Sequence, residues 1–180
     1  MAGQVDGTAP LADAPVLTTK RLILRAPQAD DLPAFAAFMT SAPAMAAQGE
    51  TVSEAQAWFG FLIGIGHWHM RGYGFFMLEE KATGTPVGRV GLIKHADWPE
   101  IELAWHLFEG AEGKGYATEA AQAVKDWAQR DLGLTALFSY IDRTNTRSQA
   151  VAKRLGAKRS GEAAPHEPQA DTWVHQFGQA

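Results

Sequence analysis

The sequence predicts a mixed α/β fold (α+β by some schemes), with helices packed on a partly antiparallel sheet. Three observations lead there. Short apolar, β-branched segments occur as pairs joined by brief turns. A glycine-rich turn then runs straight from a strand into an alanine-rich amphipathic segment. Beyond it the chain alternates strand, helix and strand. Paired strands followed by alternating elements give one sheet with helices laid on it.

Each element has a local reason. Residues 16–25 combine threonines, leucines, a valine and an isoleucine and read as a first strand. Asp30 and Asp31 precede Leu32-Pro33 and start a short helix to about Thr40, with proline accepted in its first turn. A second helix begins near Ser53, where Thr51 and Glu54 have the spacing of a capping box, and Trp58, Leu62, Ile65 and His69 recur behind it at helical spacing. Residues 74–80 and 86–94 form two strands across the turn 81–85, and residues 100–108 a third. Ala117, Ala120, Ala121, Val124, Trp127 and Ala128 make one apolar stripe of a helix that ends near Gly133. Residues 134–141 then read as a strand, 146–155 as a helix stopped by Gly156, and 172–177 as the last strand. The aromatics Trp58, Phe59, Phe61, Trp68, Phe75 and Phe76 are read as core.

A chain of 180 residues with 46% hydrophobic content buries a full core and is expected to be one domain over residues 14–180. Residues 1–13 lack the basic start and apolar centre of a signal peptide and are expected to be a flexible tail. A net charge of −4 argues against a nucleic-acid partner and fits a cationic one such as an amine. The absence of cysteine excludes disulfides and thiolate metal sites and is compatible with the cytoplasm, which is the expected location. The longest apolar stretch, residues 58–66, is too short for a bilayer and contains three glycines, so no membrane partner is expected. His67 and His69 are two apart and diverge on a helix, so no metal site is read from them.

The richest run is Glu112, Gly113, Lys114, Gly115, Tyr116, Ala117, Thr118 and Glu119. Its glycines allow close backbone approach, and a helix that starts here presents first-turn N–H groups without intrahelical partners. With the helix dipole these donors make an anion site. Two phosphate templates fail. The ATP-binding loop needs two glycines five positions apart followed by Lys and Ser/Thr, whereas Gly110 is three before Gly113 and Gly115 follows Lys114. The dinucleotide fingerprint needs a glycine where Thr118 stands.

A third template fits. The window 112–117 resembles the acetyl-CoA loop Q/R-x-x-G-x-G/A of the GNAT acetyltransferase superfamily. The wording of residues 113–120 looks most like its RimJ/RimL-like branch. Residues 17–25 resemble the opening strand of that branch, and Asn145 to Ser148 with Arg154 to Ala157 resemble its N-x-x-S…K-L-G-F segment. The resemblance spans about residues 16–177. It implies a mostly antiparallel central sheet, flanked by helices and splayed at the acetyl-CoA site. Two departures stand out. Glu112 replaces Gln/Arg and is expected to point into solvent, and Ala152 occupies the place of a tyrosine acid.

The implied chemistry is acetyl transfer from acetyl-CoA to a primary amine, a protein N-terminus or a small molecule, by direct attack and without a metal. Gly113, Lys114, Gly115, Tyr116, Ala117 and Thr118 would hold the pyrophosphate, and Trp105, His106 and Leu107 the pantetheine arm. Asn145 would anchor the pantetheine amide and Ser148 stabilise the departing thiolate; on the residues alone both equally suit the polar start of a helix capped by Thr146 with Gln149. Glu102 is the first candidate to take the amine's proton, with His106 as the weaker alternative if strand alternation puts both on one face. The other reading of Glu102 is a strand carboxylate satisfied by a neighbouring backbone or hydroxyl group. A non-catalytic acyl-CoA-binding regulatory domain is the alternative function. The resemblance places acceptor choice in the second helix region, residues 47–73, and in the final hairpin, residues 161–171, with His166 a loop residue there. A monomer or homodimer is expected.

Overall fold

The computed structural model describes residues 14–45 and 51–177. The expected tail at residues 1–13, and residues 47–50 of the first acceptor region, lie outside the described residues. The strands are β1 (Leu17–Thr18), β2 (Leu22–Arg25), β3 (Phe75–Glu80), β4 (Thr85–Ile93), β5 (Glu102–Leu107), β6 (Ala136–Asp142), β7 (Lys158–Ala164) and β8 (Glu167–Gln176). The helices are α1 (Leu32–Thr40), α2 (Ala42–Met45), α3 (Glu54–Arg71), α4 (Tyr116–Leu132) and α5 (Thr146–Arg154), with a 3₁₀ turn at Ala29–Asp31 before α1.

All eight strands form one sheet in the order β1-β2-β3-β4-β5-β6-β8-β7. Every pairing is antiparallel except β5 with β6. The expected mixed sheet with helices is therefore present. Alternation along each strand sends side chains to two layers. One layer holds Leu22, Leu24, Phe76, Leu78, Val90, Leu92, Leu103 and Trp105 against the alanine face of α4. The other holds Met77 against Phe35 and Phe38 of α1 and Ala57 and Phe61 of α3.

Several local expectations are corrected. Residues 16–25 are a hairpin, β1–β2, because the Thr19 hydroxyl accepts the Leu22 N–H at 3.0 Å and the chain reverses there. The cap of α3 is Ser53, not Thr51: its hydroxyl accepts the Gln56 N–H while Gln56 Oε1 accepts the Ser53 N–H. The buried stripe of α3 is Ala57, Phe61 and Trp68, so Trp58 and Phe59 are 47% and 61% exposed rather than core. The last strand starts at Glu167, not 172, and the final hairpin expected around residues 161–171 is formed by β7 with β8 and begins earlier, at Lys158. The N-cap of α5 is Asn145, not Thr146, and Gln149 donates to the Arg143 carbonyl at 3.0 Å instead of closing a box.

Candidate active site

The glycine turn leaves β5 and enters α4 through three left-handed positions, Gly110, Gly113 and Gly115, with φ of 77°, 76° and 82°. Such angles strain any residue with a Cβ, which is why the run is glycine-rich. Gly115 is the N-cap and supplies no side-chain cap. The N–H groups of Tyr116, Ala117 and Thr118 therefore stand at the start of a 17-residue helix without intrahelical acceptors. Side chains lock the turn in place. Glu119 accepts from the Thr19 hydroxyl at 2.7 Å and from the Arg21 backbone N–H and Nε at 2.8 and 2.7 Å. Arg21 also donates to the Lys114 carbonyl at 2.8 Å and lies over the Tyr116 ring. The Tyr116 hydroxyl donates to Glu80, so this residue faces the anion site with its backbone only. Lys114 and Glu112 are exposed.

Next to the turn the sheet opens. β5 and β6 share one register pair, Glu102 with Phe138, and the Phe138 N–H donates to the Ile101 carbonyl at 3.0 Å. A continuing parallel ladder would send the Tyr140 N–H to the Leu103 carbonyl. Instead Ser139 Oγ donates to that carbonyl at 2.6 Å, and the Tyr140 N–H donates to Glu102 Oε1 at 3.4 Å. The ladder stops there. On its other edge β5 stays paired with β4, Glu102 to Ile93 through Leu107 to Gly88, and the Phe108 N–H donates to the Val87 carbonyl. That register commits the backbone of Ala104 and His106 to β4 and turns the backbone of Trp105 and Leu107 toward the opening.

The opening has two differently furnished faces. On the α4–α5 face, Trp105 Nε1 donates to Ser148 Oγ at 3.2 Å. The indole fixes the hydroxyl oxygen and leaves its proton available for another acceptor. Asn145 Oδ1 accepts the Ser148 N–H at 3.0 Å and so sets the first turn of α5. On the opposite face stands Glu102, which lines the same cleft as Ser148, Asn145, Tyr140 and Glu167. Burial pushes its carboxyl up to about 8, against the pull of the Tyr140 N–H and with help from the charge of Glu167. Trp98 stacks on His166 at 3.9 Å, and Tyr140 meets His166 edge-on at 4.6 Å. This end of the cleft is therefore aromatic and acidic.

His106 shares the face of Glu102, since no bulge interrupts β5. It cannot serve as the base, for its Nδ1 accepts from Arg89 Nε at 3.0 Å. Nε2 of the neutral ring then carries the proton, and burial together with the Arg89 charge holds its pKa well below the usual histidine value. His67 is likewise spent on structure, joining the Tyr73 carbonyl at 2.7 Å and the Lys94 N–H at 3.1 Å. Among the described residues no three His, Asp or Glu side chains assemble as metal ligands. Reading the sequence alone missed Ser139, whose Oγ also meets His175 Nε2 at 3.0 Å, and missed Arg89. A histidine interrupting the apolar run of the last strand was the available signal for the first; Arg89 gave none.

The family model described as an acetyltransferase (GNAT) domain matches residues 21–158. The chain belongs to the GNAT acetyltransferase family. Among solved structures this GNAT chain is similar to the acetyltransferase from Agrobacterium tumefaciens, at 37% identity, a TM-score of 0.84, and coverage of 92% of this chain and 95% of that one. It shares the fold of RimL, a ribosomal L7/L12 α-N-protein acetyltransferase solved with coenzyme A, at 17% identity, a TM-score of 0.69, and coverage of 91% and 98%. The uncharacterized N-acetyltransferase YnaD of Bacillus subtilis is 25% identical over 91 residues, 51% of this chain and 54% of its own length. The match thus spans about half the length of that curated relative. No helix among the described residues is long and apolar enough to cross a membrane.

Proposed function

We propose that this GNAT chain transfers acetyl from acetyl-CoA to a primary amine by direct attack. The carrying observation is the opening between β5 and β6, which begins beside Glu102 and has Ser148 on its other face. The free N-terminus of α4 takes the pyrophosphate. The unpaired backbone of Trp105 and Leu107 takes the pantetheine arm as an added strand would be taken. That threads the thioester through the sheet, and an amine reaches it from the Glu102 face. The acidic, aromatic end of the cleft suits an arriving ammonium.

The amine attacks the thioester carbon as a free base, so its proton must go first. Glu102 receives it, directly or through one water, and holds it until release. The tetrahedral adduct collapses by breaking the C–S bond. The proton still carried by its nitrogen passes through water to the departing sulfur, so that CoA leaves as the thiol. The Ser148 hydroxyl donates a hydrogen bond to the thiolate as it forms. A thiolate leaves readily, so this help is modest. Ser148→Ala lowers kcat about tenfold, the worth of one hydrogen bond to a charged group, with KM for acetyl-CoA nearly unchanged. Undiminished turnover in that variant removes Ser148 from the mechanism.

Binding is tested separately. Acetyl-CoA at a hundred times its Kd raises Tm by about 5–10 °C. Gly115→Glu puts a side chain on a left-handed residue and a carboxylate at the anion site, so its Tm no longer responds to acetyl-CoA. An unmoved wild-type melting curve at saturating acetyl-CoA refutes the donor site.

A further inference from the structure

Two arginines project from the acceptor face of the sheet, and they are treated very differently. Arg25 on β2 is fully paired: Asp31 takes Nη1 and Nη2 at 2.8 and 2.9 Å, and Glu79 takes Nε at 2.8 Å. Arg89 on β4 has no carboxylate among the described residues. Its Nε donates to His106 Nδ1, and its guanidinium carbon lies 4.7 Å from the Phe35 centroid and 4.3 Å from that of Phe75. Its terminal Nη groups make no hydrogen bond or ion pair there. Aromatic faces and a neutral imidazole orient a guanidinium; they do not neutralise it. Desolvation with nothing to offset it brings its pKa down to about 10, so it is still charged at neutral pH.

Leaving a cation half-desolvated and unpaired is costly, and a side chain kept for packing alone needs no charge. The fork it leaves open, two N–H groups in one plane, matches a carboxylate. The residue it orients, His106, lines the cleft that contains Glu102. We propose that Arg89 is a specificity residue that binds a carboxylate of the amine acceptor, so that the preferred acceptor is an amino acid or acidic peptide with its amine at Glu102. The proposal rests on the transferase reading and deepens it. Along β5, Glu102 and His106 are four residues apart, about 13 Å of strand rise. That span favours a carboxylate several bonds removed from the reacting amine over one on the same carbon.

The test uses acceptor pairs that differ only in carboxylate against amide: glycine, γ-aminobutyrate and the dipeptide Gly-Glu, each beside its amides. Wild-type kcat/KM favours the carboxylate member of the best pair about tenfold or more. Arg89→Met brings that ratio close to one, and Arg89→Lys retains part of it. A second readout needs no turnover. With CoA present, the N-acetylated acid of the best pair raises the wild-type Tm, and the matching amide does not. Equal rates for acid and amide in the wild type overturn the carboxylate site while leaving the transferase reading intact. If no amine is acetylated, yet the acid shifts the wild-type Tm and fails to shift that of Arg89→Met, the carboxylate site stands and the transferase reading falls. Preference for γ-aminobutyrate identifies a small amino acid as the source, and preference for Gly-Glu a peptide.

Discussion

Glu102→Gln lowers kcat about a hundredfold or more, the scale of a lost general base. The variant also loses the rise of activity near pH 8 that the wild type shows. Glu102 is the carboxyl that the Tyr140 N–H meets at 3.4 Å where the β5–β6 ladder opens, and burial raises its pKa to about 8. A base poised there is ionised just when a typical amine begins to lose its proton. The amine's own titration pushes the profile the same way, so the difference between wild type and variant on one amine isolates Glu102. Stability gives an independent reading. Between the ordinary value of 4.5 and about 8, the folded state holds a proton that the unfolded state has released. Folding is therefore favoured most below that window and weakens as pH rises through it. Glutamine carries no such burden, so the Tm of Glu102→Gln relative to wild type increases from pH 5 to pH 9. A carboxylate with a purely structural role would lose stability on replacement at both pH values and leave the shape of the rate profile alone. A kcat within twofold of wild type at every pH excludes Glu102 as the base.

Gly91→Ala is expected to cost about 4 kcal/mol or more, enough to lower Tm by about 10 °C or to prevent folding. A Cβ at this point of β4 would lie 2.1 Å from the Gly74 carbonyl oxygen and 2.4 Å from Phe75 Cα. Both are backbone atoms at the start of the neighbouring strand β3, so no rotamer change relieves the clash. That same carbonyl accepts the Leu92 N–H at 3.1 Å, and moving it away would break the rung. The damage would reach the site, because β4 carries Arg89 and holds β5 in register. Gly64 in α3 is the control. A Cβ there meets nothing within 4 Å, so Gly64→Ala stabilises by about 0.5–1 kcal/mol through helix propensity. Thermal unfolding of the two variants separates the effects by sign, and a Gly91→Ala protein as stable as wild type contradicts the packing described.

What could be read from the sequence was what local chemistry forces. The turn into α4 needs three left-handed residues, and only glycine accepts them cheaply, so Gly110, Gly113 and Gly115 announced it. The stripe from Ala117 to Ala128 is buried as its spacing requires. Where two local solutions compete, pattern reading chose wrongly. Thr51 with Glu54 and Ser53 with Gln56 both have capping-box spacing, and the pair two residues later won. Trp58-Leu62 and Ala57-Phe61 both recur every four residues, and one residue of offset turned the large pair outward. The extent of β7 could not be read from pattern because every residue from Lys158 to Ala163 is exposed; an edge strand made of polar and small residues has no apolar period to detect.

The site divides in the same way. Glu102 could be singled out because alternation assigns it a face and a position just before the glycine turn. Its raised pKa comes first from burial, with the Glu167 charge adding to it and the Tyr140 N–H opposing it, and these surroundings are distant in the chain and adjacent only in the sheet. Ser148 was visible, but its tie to Trp105 was not. Arg89 escaped because what sets it apart is the carboxylate partner it lacks among the described residues, and a missing partner leaves no mark on a sequence.

The most direct measurement is thiol release from acetyl-CoA, followed with and without amines from the panel above. Release is expected to depend on the amine, to match the acetylated amine formed mole for mole, and nearly to vanish in Glu102→Gln. Acetyl-CoA that raises Tm in the wild type, yet yields no thiol with any amine, would contradict the transferase reading and mark the chain as a non-catalytic acyl-CoA-binding domain.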